Sequence, residues 1–427
     1  MNLKISPDIE LTVNHLFRHE SGKMVSVLVK IFGSENFGLA EDVVQDALLS
    51  AMETWKFRGI PDNPKAWLYR TAKNKAIDII RRDKHNQIID FADPERKLLT
   101  SEYTLSEAMN NHWQESNIKD DFLGMMYACC HPAISEENQK TFILKSLCGF
   151  STKEIARAFL TEEQTISKRL YRTKEYFRKS KIKPRIPSKN ELSSRTSVVL
   201  ETIYMLFNEG YNSTHSDNLI REDLIAQSML LCKSLIENDK THLPEAHALM
   251  ALMCLHGSRS AARVSAEGDL IPLEKQDRSS WNRELINAGN NYLNKAAVGS
   301  FISNYHLEAA IAYEHCIAPN YRSTNWESIV YYYDALLFKY PDPILSLNRC
   351  IALMEAKGPE TALESLNELK IDKILEKYYL YYATVGEIYS RLGEEEKAII
   401  AFRKAKELTL SNKEKRFLMD KILGIQT

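Results

Sequence analysis

Residues 149–179 read GFSTKEIARAFLTEEQTISKRLYRTKEYFRK and contain two short helical patterns, the second of which ends in Lys and Arg. Each pattern opens on a capping box, from Ser151 to Glu154 and from Thr161 to Gln164. In such a box the hydroxyl and the side chain three residues later satisfy free amides of the first helical turn. The sequence therefore predicts two helices that start ten residues apart, at the spacing of a helix-turn-helix.

Apolar residues give each of these helices a face to bury. Ile155, Ala156 and Phe159 fall on one face of the first helix, and Ile166 and Leu170 fall on one face of the second. The pair can therefore bury one shared stripe. No glycine stands between the helices, so the turn must form without a residue that prefers positive φ.

The outward positions of the second helix are polar or basic, and such side chains can reach base edges and phosphates. These positions are Gln164, Thr165, Ser167, Lys168, Arg169 and Arg172. A basic helix face is often only solvated surface. The two caps at this spacing favour a DNA-reading helix-turn-helix over two surface helices of an α-solenoid.

The composition favours an almost wholly helical protein of two or three domains. The chain has 427 residues, 44% hydrophobic and 26% charged, with only 15 Gly and 13 Pro to form turns. The net charge of -1 does not exclude nucleic acid, because the basic residues cluster in particular helices and local charge binds phosphate.

Cysteine usage and hydropathy point to a cytoplasmic protein. The seven Cys contain no CxxC pair, and adjacent Cys129, Cys130 and His131 are poorly placed to share a metal, so buried free thiols are expected. No secretory signal and no apolar run of membrane-spanning length are present. We expect no membrane association, no bound metal and no cofactor.

Two helices are predicted near the start of the chain. The first covers 11–33 and stops at a glycine, and the second covers 38–55. The second helix buries Val and Ala residues and turns Asp42, Gln45 and Asp46 outward. Acidic residues near a helix N-terminus are favoured by the dipole alone, so this face does not by itself require a partner.

A polar loop over 56–64 leads to a third predicted helix over 65–85. This helix carries many more Lys and Arg than acidic residues, together with the aromatic residues Trp67 and Tyr69. Positive charge next to aromatic rings is what holding separated DNA strands requires.

The ordered set of AEDVVQDALLSAMETW, NPKAWLYRTAKNKAIDIIRR and STKEIARAFLTEEQTISKRLYRTKE resembles extracytoplasmic-function (ECF) sigma factors of bacterial RNA polymerase, over roughly residues 10–180. The resemblance implies that Asp42, Gln45 and Asp46 dock on the coiled coil of the polymerase β′ clamp. It implies that the helix-turn-helix reads the −35 element through the outward residues named above. It also implies a −10 site in the loop and the third helix, for which the candidates are Arg58, Asn63, Trp67, Arg70, Lys73, Asn74, Asp78 and Arg81.

The second half of the chain begins after a basic stretch with two prolines, 179–191, that can hardly stay helical. Its FNEGY and ARVSAEGDLIPLEKQDRSSW stretches narrow the resemblance to the ECF subgroup with a long tetratricopeptide-like extension. In YYATVGEIYSRLGEEEKAIIAFRKAKEL, 381–408, large and small residues alternate as in one such repeat.

The expected fold class is all-α, with two small helical sigma domains, the second carrying the helix-turn-helix, followed by an α-solenoid. The expected domains are a region 2 domain over 1–85, a linker over 86–118, a region 4 domain over 119–182 and the extension over 183–427. The expected partners are core polymerase, through its β′ clamp and β flap, promoter DNA, and an unknown protein or peptide on the solenoid.

Two groups in the second half have competing interpretations. Arg259, Arg263, Asp277, Arg278 and Trp281 can line a ligand site, but salt bridges that hold a long loop are favoured. The group of His306, Glu308, Glu314 and His315 lacks HExxH spacing, so solvated histidines are favoured over a metal site.

Two alternatives to a sigma factor follow from the residues. One is a tetratricopeptide scaffold whose basic helices make generic nucleic-acid or protein contacts. The other is an enzyme, which the sequence disfavours because it has no phosphate loop, no nucleophile elbow and no plausible metal cluster. In the sigma interpretation the extension regulates activity, either by inhibiting it or by being required for it.

Overall fold

A computed structural model describes residues 7–83, 88–91, 93–159, 161–212, 220–265, 269, 271–299, 301–369, 375–409 and 411–426. These residues form nineteen α-helices and no β-strand, which confirms the all-α class. The chain divides into two compact units, Met1–Leu206 with Lys233–His242, and Phe207–Cys232 with Leu243–Thr427. Among the described helices, none combines the length and the apolar character that a membrane crossing requires.

The first unit is built from helices of different lengths, from 26 residues in the first to 7 in the shortest. They are α1 (Pro7–Phe32), α2 (Phe37–Arg58), α3 (Pro64–Asp83), α4 (Glu102–His112), α5 (Glu115–Cys129), α6 (Glu136–Phe142), α7 (Thr152–Ala158), α8 (Glu163–Ser180) and the start of α9 (Lys189–Tyr211).

The first three helices form where the apolar periodicity predicts them. α1 ends at Gly33, which adopts φ 97 and donates its N–H to the carbonyl of Val29 at 2.8 Å. Positive φ is a conformation that glycine adopts without steric penalty, so the predicted glycine stop is confirmed. α2 buries the predicted stripe, including Val43, Val44 and Trp55.

The segment 86–118, expected to be a linker with little periodicity, contains helix α4 and a 3₁₀ segment, Pro94–Leu99. α4 buries Leu105 and Met109, which lie four residues apart on one face. This two-residue apolar pattern is too short to stand out in the sequence, and the helix is stabilised instead by packing on its neighbours.

The break after α8 is confirmed, because α8 ends at Ser180 and α9 begins at Lys189. The first compact unit nevertheless extends past the expected boundary at Lys183. Thr196 of α9 hydrogen-bonds Tyr127 of α5 at 2.8 Å, and both side chains are buried. The prolines therefore separate two helices, but they do not end the unit.

The second unit begins within α9 and continues in a series of helices, many of them packed in sequential pairs. They are α10 (Glu222–Glu237), α11 (Pro244–Gly257), α12 (Arg283–Ala296), α13 (Asn304–Ile317), α14 (Trp326–Lys339), α15 (Pro343–Lys357), α16 (Pro359–Asn367), α17 (Tyr379–Arg391), α18 (Glu395–Leu408) and α19 (Asn412–Gln426).

The pair α17 and α18 shows how small residues set the helix spacing. Ala398, Phe402 and Ala405 are buried, and Gly393 forms the turn at φ 75. A Cβ added to Gly386 would lie 2.7 Å from Cδ1 of Phe402. The helices therefore approach as closely as the alternation of large and small residues predicts.

We expect Gly386→Val to destabilise the second unit by about 1–3 kcal/mol, because the new side chain overlaps a buried ring that has little room to move. Urea unfolding monitored by circular dichroism measures this change. Gly424→Val is the matched control in α19, where an added Cβ meets nothing within 4 Å. Equal unfolding midpoints for the two variants would contradict the close-approach interpretation.

The long loop between α11 and α12 is held partly by a salt bridge, from Asp269 to Arg416 of α19 at 2.9 Å. Two arginines of the loop itself, which the sequence favoured as salt-bridge partners, bond instead to main-chain carbonyls. Arg278 donates to the carbonyls of His315 and Ala318, each at 2.6 Å, at the end of α13. Arg263 donates to the carbonyl of Tyr211 at the end of α9. The C-terminal ends of helices carry partial negative charge, so main-chain carbonyls take the place of the expected carboxylates around these arginines.

The expectation of solvated histidines in the second unit is wrong. His306 caps α13, since its Nδ1 accepts from the N–H of Ser303 at 3.1 Å. His315 is half-buried and packs edge-on against Trp326, and burial together with Arg259 and Arg278 lowers its pKa to about 3. No group of three potential ligands in the described chain is placed to hold a metal.

All seven cysteines are free and buried, as predicted. Burial raises the pKa of the Cys148 thiol to about 12. The thiols are therefore protonated and unreactive at neutral pH.

Candidate polymerase and promoter interfaces

One face of α2 is acidic and exposed. Asp42, Gln45 and Asp46 are exposed, while the opposite face is buried against α1 and α3. Leu49, seven residues after Asp42, is 56% exposed on the same face. The structure therefore brings the three predicted residues together and adds an apolar centre that sequence reasoning missed. The helical spacing from Asp42 and Asp46 was a signal for it.

The end of α2 and the loop that follows it present aromatic and aliphatic side chains. Gly59 follows the last residue of α2 and adopts φ 77. Its N–H donates to the carbonyl of Trp55 at 2.9 Å, which ends the helix. Arg58 is exposed, as are Phe57 at 76% and Ile60 at 38%, which sequence reasoning did not select. Exposed large apolar residues on a loop are a signal for a binding surface.

The predicted residue Asn63 has a structural task as well. Its side-chain Oδ1 accepts from the N–H of Ala66 at 2.9 Å, so it caps the first turn of α3. Its side chain is nevertheless exposed at the end of the loop, directly before α3. The position therefore combines helix capping with access to a ligand.

The predicted residues of α3 divide between an exposed face and a packed one. Arg70, Asn74, Asp78 and Arg81 are exposed at helical spacing along one side. Trp67 is half-buried and packs edge-on against Trp55 at 5.4 Å. Lys73 is also half-buried and donates to Oδ1 of Asn110 in α4 at 2.8 Å. Its ammonium group is therefore already hydrogen-bonded to the helix that forms in the expected linker.

A cavity of about 320 Å³ lies beside the start of α3. Its wall includes Tyr69 and Trp113, whose rings meet edge-on at 5.5 Å, together with Lys23 and Lys65. Tyr69 donates to the buried α1 carboxylate Glu20, and burial together with this carboxylate raises the pKa of Tyr69 well above its usual value. The cavity thus combines aromatic walls with positive charge.

The helix-turn-helix forms as α7 and α8. Ser151 and Glu154 make the predicted reciprocal capping box, with bonds of 2.7 and 3.1 Å. Ile155, Ala156 and Ile166 are buried as the shared stripe, and Phe159 and Leu170 are half-buried.

The second predicted capping box is wrong. α8 begins at Glu163, and the residue before it, Glu162, is the N-cap without a side-chain bond. Thr161 instead donates its N–H to the carbonyl of Ala156 at 2.9 Å and closes the preceding turn. Phe159 has φ -94, so this described part of the turn needs no positive φ. Leu160, which the turn also includes, lies outside the described residues.

The outward face of α8 presents most of the predicted reading residues. Gln164, Ser167, Lys168 and Arg172 are exposed, and Thr165 is half-buried. Tyr171, which sequence reasoning did not select, is 68% exposed beside them. An aromatic residue between basic positions was the available signal.

Arg169 does not point outward as predicted. Its guanidinium lies over the ring of Phe159 at 5.3 Å, and one of its terminal nitrogens is buried. The arginine stem is long enough to fold back along its own motif and cover an aromatic ring. Its contact within the motif therefore holds α7 against α8.

Within the first unit, α8 also contacts α2 and α6. The rings of Phe37, Phe142 and Phe177 pack together with centroid distances of 4.9 to 6.0 Å. Glu41 of α2 accepts from Lys174 of α8 at 2.5 Å and from Ser146 at 3.1 Å. The acidic helix and the helix-turn-helix are therefore held against each other.

The backbone of α1 lies against the segment that precedes the helix-turn-helix. A Cβ added to Gly22 would lie 2.0 Å from the carbonyl oxygen of Leu147. Asp121 of α5 receives a hydrogen bond from Lys30 of α1, yet burial raises the pKa of this carboxyl. The contact between α1 and the second half of the unit is thus close and largely buried.

A curated relative matches almost the whole chain. The uncharacterized protein R00370 of Rhizobium meliloti (strain 1021) is 31% identical over 383 residues, which cover 90% of this chain and 89% of that protein. The chain belongs to the same family as this rhizobial protein.

Three regions of the chain match known domain families. Residues 16–86 match sigma-70 region 2, residues 125–176 match sigma-70 region 4, and residues 195–297 match a family of unknown function, DUF6596. A probable RNA polymerase sigma factor of Haemophilus influenzae is 25% identical over 146 residues, or 32% of this chain and 73% of that protein. No solved structure matches the chain.

The matched families place the candidate interfaces in named domains. α1–α3 form a sigma-70 region 2 domain, and α5–α8 carry a sigma-70 region 4 domain. These are the domains of an RNA polymerase sigma factor, and they imply core RNA polymerase and promoter DNA as binding partners.

Proposed function

We propose that this chain is an ECF sigma factor, a non-enzymatic subunit that binds core RNA polymerase in the cytoplasm and directs it to particular promoters. The observation that supports this most is the order of three exposed surfaces in the sigma-70 domains. An acidic face on α2 comes first, the exposed ring of Phe57 and a basic face on α3 follow, and a helix-turn-helix comes last.

In this proposal the α2 face binds the coiled coil of the polymerase β′ clamp. Its acidic residues Asp42 and Asp46, with Gln45 between them, surround the exposed side chain of Leu49. An apolar centre with a charged rim is the usual composition of a protein interface. Region 4 would make the second polymerase contact, at the β flap.

Promoter recognition would be shared between α3 and α8. The exposed side chains Arg70, Asn74 and Arg81 with the loop from Arg58 to Asn63 would hold the opened −10 element, because melted strands bind to positive charge beside aromatic rings. The exposed end of α8 would enter the major groove at the −35 element, as recognition helices do.

Regions 2 and 4 would have to separate before both elements are bound. The two elements lie about 25 base pairs apart, which is roughly 85 Å of DNA at ~3.4 Å per base pair. A compact unit of ~200 residues has a radius of gyration of roughly 16 Å. The contacts through Glu41, Lys174 and the three phenylalanine rings therefore belong to a closed form that polymerase opens.

Energy transfer between dyes tests this opening. Labels at Asn14 of α1 and Lys179 of α8, both exposed, should lose transfer efficiency when core polymerase is added. A control pair at Asn14 and Asp78, both within region 2, should keep its efficiency. Unchanged transfer for the first pair in a stable polymerase complex would rule out the opening.

We further propose that the C-terminal unit is a tetratricopeptide-like solenoid that regulates transcription through a protein or peptide partner. The close pairing of α17 with α18 and the match of residues 195–297 to a family of its own support a separate task for this unit. A chain that ends after Leu206 tests it, since that end keeps the contact of Thr196 with Tyr127.

Promoter activity of the shortened chain decides the direction of regulation. A rise relative to the full chain would mean that the extension inhibits, and a loss with intact polymerase binding would mean that it is required. Equal activity would remove the regulatory proposal.

Run-off transcription with purified chain, bacterial core polymerase and a pool of genomic fragments tests the sigma assignment itself. Discrete start sites that depend on the chain are the expected result. If no starts appear and the chain does not co-elute with core polymerase, the scaffold alternative with generic nucleic-acid contacts replaces it.

A further inference from the structure

The cavity beside the start of α3 lies where helices of region 2 meet α5. Region 2 supplies part of its wall, through Lys23 of α1 and through Lys65 and Tyr69 of α3. The rest of the wall includes Trp113, directly after α4, and Ile118 near the start of α5. We call this space of about 320 Å³ the joint cavity.

The joint cavity has the size and the lining of a site for a small planar molecule. Its wall is mostly apolar, with aliphatic surface from Ala66 and Ile118. The rings of Tyr69 and Trp113 add aromatic surface, with their centroids 5.5 Å apart. Sites for small molecules are usually clefts of ~300–1,000 Å³ with apolar and aromatic walls. The joint cavity lies at the lower end of this range, which suits one or two aromatic rings.

The region 2 side of the joint cavity carries one positive charge in excess. Glu20 of α1 is buried and receives hydrogen bonds from Tyr69 and, at 3.0 Å, from Lys23. The ammonium of Lys65 lies 3.8 Å from the same carboxylate and 5.5 Å from the centre of the Tyr69 ring. One carboxylate is therefore shared by two ammonium groups.

The α5 side of the joint cavity does not change this balance. Lys119 and Glu115 both line the cavity and pair at 4.0 Å across one turn of α5. Both side chains are more than half exposed, and their charges cancel. The described groups around the cavity thus match a ligand that carries one negative charge.

We propose that the joint cavity binds a small aromatic molecule with a single negative charge, such as an aromatic carboxylate. The rings of Tyr69 and Trp113 contact the ring of the ligand, since aromatic rings favour offset or edge-on contacts with one another. Lys65 pairs with the carboxylate. Its side chain is 45% exposed, so an anion that enters from solvent can reach the ammonium group.

A base of single-stranded DNA fits the joint cavity less well. In the proposed function, regions 2 and 4 separate before the opened −10 element is bound, which moves α5 away from α1 and α3. A base bound at that stage would meet only the region 2 part of the wall. An unmodified base is also neutral and does not use the excess positive charge. The complete cavity therefore belongs to the closed form of the free chain.

A ligand in the joint cavity would stabilise the closed form of the first unit. It contacts region 2 through Lys65 and Tyr69 and contacts α5 through Ile118, so it binds most tightly while these helices are together. A ligand that prefers one of two forms shifts the population toward that form. Polymerase would then open the chain less readily. This consequence rests on the proposed sigma function, whereas the binding site itself does not.

A ligand-detected NMR titration of the full chain with 2-naphthoate tests the site. We expect saturable binding with a Kd on the order of 1 mM or below, as for a ligand of about a dozen heavy atoms. Naphthalene-2-carboxamide lacks the charge and cyclohexanecarboxylate lacks the aromatic rings, so each should bind about 10-fold more weakly or worse. Absence of saturable naphthoate binding, or equal binding of all three compounds, would overturn the proposal.

Two variants locate the bound naphthoate. Ala66→Phe places a ring in the wall of the joint cavity from an exposed position and should abolish binding. Lys65→Glu should raise the Kd about 10-fold or more, because the nearest cation becomes an anion. Ala158→Phe and Lys153→Glu make the same changes at exposed positions of α7 and should keep the wild-type Kd.

The three-ligand comparison uses only the wild-type chain, so it decides the proposal even if a cavity variant fails to fold. Folding of each variant is checked by circular dichroism. An unchanged Kd in both folded cavity variants would place naphthoate elsewhere and contradict the assigned site. A short single-stranded DNA that displaces naphthoate would show that the cavity takes a base, which would overturn the proposed ligand class.

Energy transfer between the labels at Asn14 and Lys179 tests the effect on the closed form. Saturating 2-naphthoate should raise several-fold the concentration of core polymerase that halves the transfer. An unchanged concentration, with naphthoate bound, would refute the stabilisation of the closed form. A chain that binds naphthoate but never binds polymerase would refute the sigma function and leave the site supported.

Discussion

Replacing Asp42 and Asp46 with arginine together will reduce chain-dependent transcription by a factor of about 100 or more. Both carboxylates are exposed on one face of α2, so their reversal should leave the fold intact. Like charges placed across an interface cost several kcal/mol, and ~3 kcal/mol corresponds to a factor of about 100 in affinity. Run-off transcription and co-elution with core polymerase are the two measurements, and both should fail together.

A matched control separates the α2 face from the effect of net charge. Asp120→Arg with Glu137→Arg changes the charge by the same amount at exposed positions of α5 and α6. This variant should keep co-elution and most of the transcription. If it loses polymerase binding as strongly as the α2 variant, the acidic face of α2 is not the specific contact.

The sequence predicted those parts of the first unit that depend on periodicity along the chain. The buried positions of α2, and Ile155 and Ile166 of the helix-turn-helix, follow from helical spacing because burial repeats with the turn. The capping box from Ser151 to Glu154 could also be predicted, because both residues lie within one helical turn. The second helix start was misplaced, and such shifts of one or two residues are common at helix ends.

Side chains with distant partners could not be placed from the sequence. Arg278 finds its acceptors at His315 and Ala318, tens of residues further along the chain. Lys73 meets Asn110 only because α4 forms and packs near α3. Nothing in the local pattern around either residue carries this information, because it depends on how separate helices pack.

Replacing Lys168 and Arg172 with glutamate will separate promoter recognition from polymerase binding. Both side chains are exposed on α8, near the end that a recognition helix inserts into the groove. Losing two cationic contacts and adding repulsion from phosphates should weaken promoter use by about 30-fold or more, while co-elution with polymerase remains. Promoter binding by this variant should also depend less on salt. The slope of the logarithm of the binding constant against the logarithm of the salt concentration should fall by about 0.9 for each lost phosphate contact.

The control for this variant lies on the same helix. Arg178→Glu with Lys179→Glu makes the same change in charge at exposed positions about ten residues further along α8, which at ~1.5 Å per residue is roughly 15 Å from the first site. It should reduce transcription only a few-fold, through the general attraction for DNA. If both double variants lose the same activity, α8 contributes charge rather than a directed reading face. Recognition of the −35 element would then have to lie on another surface of region 4.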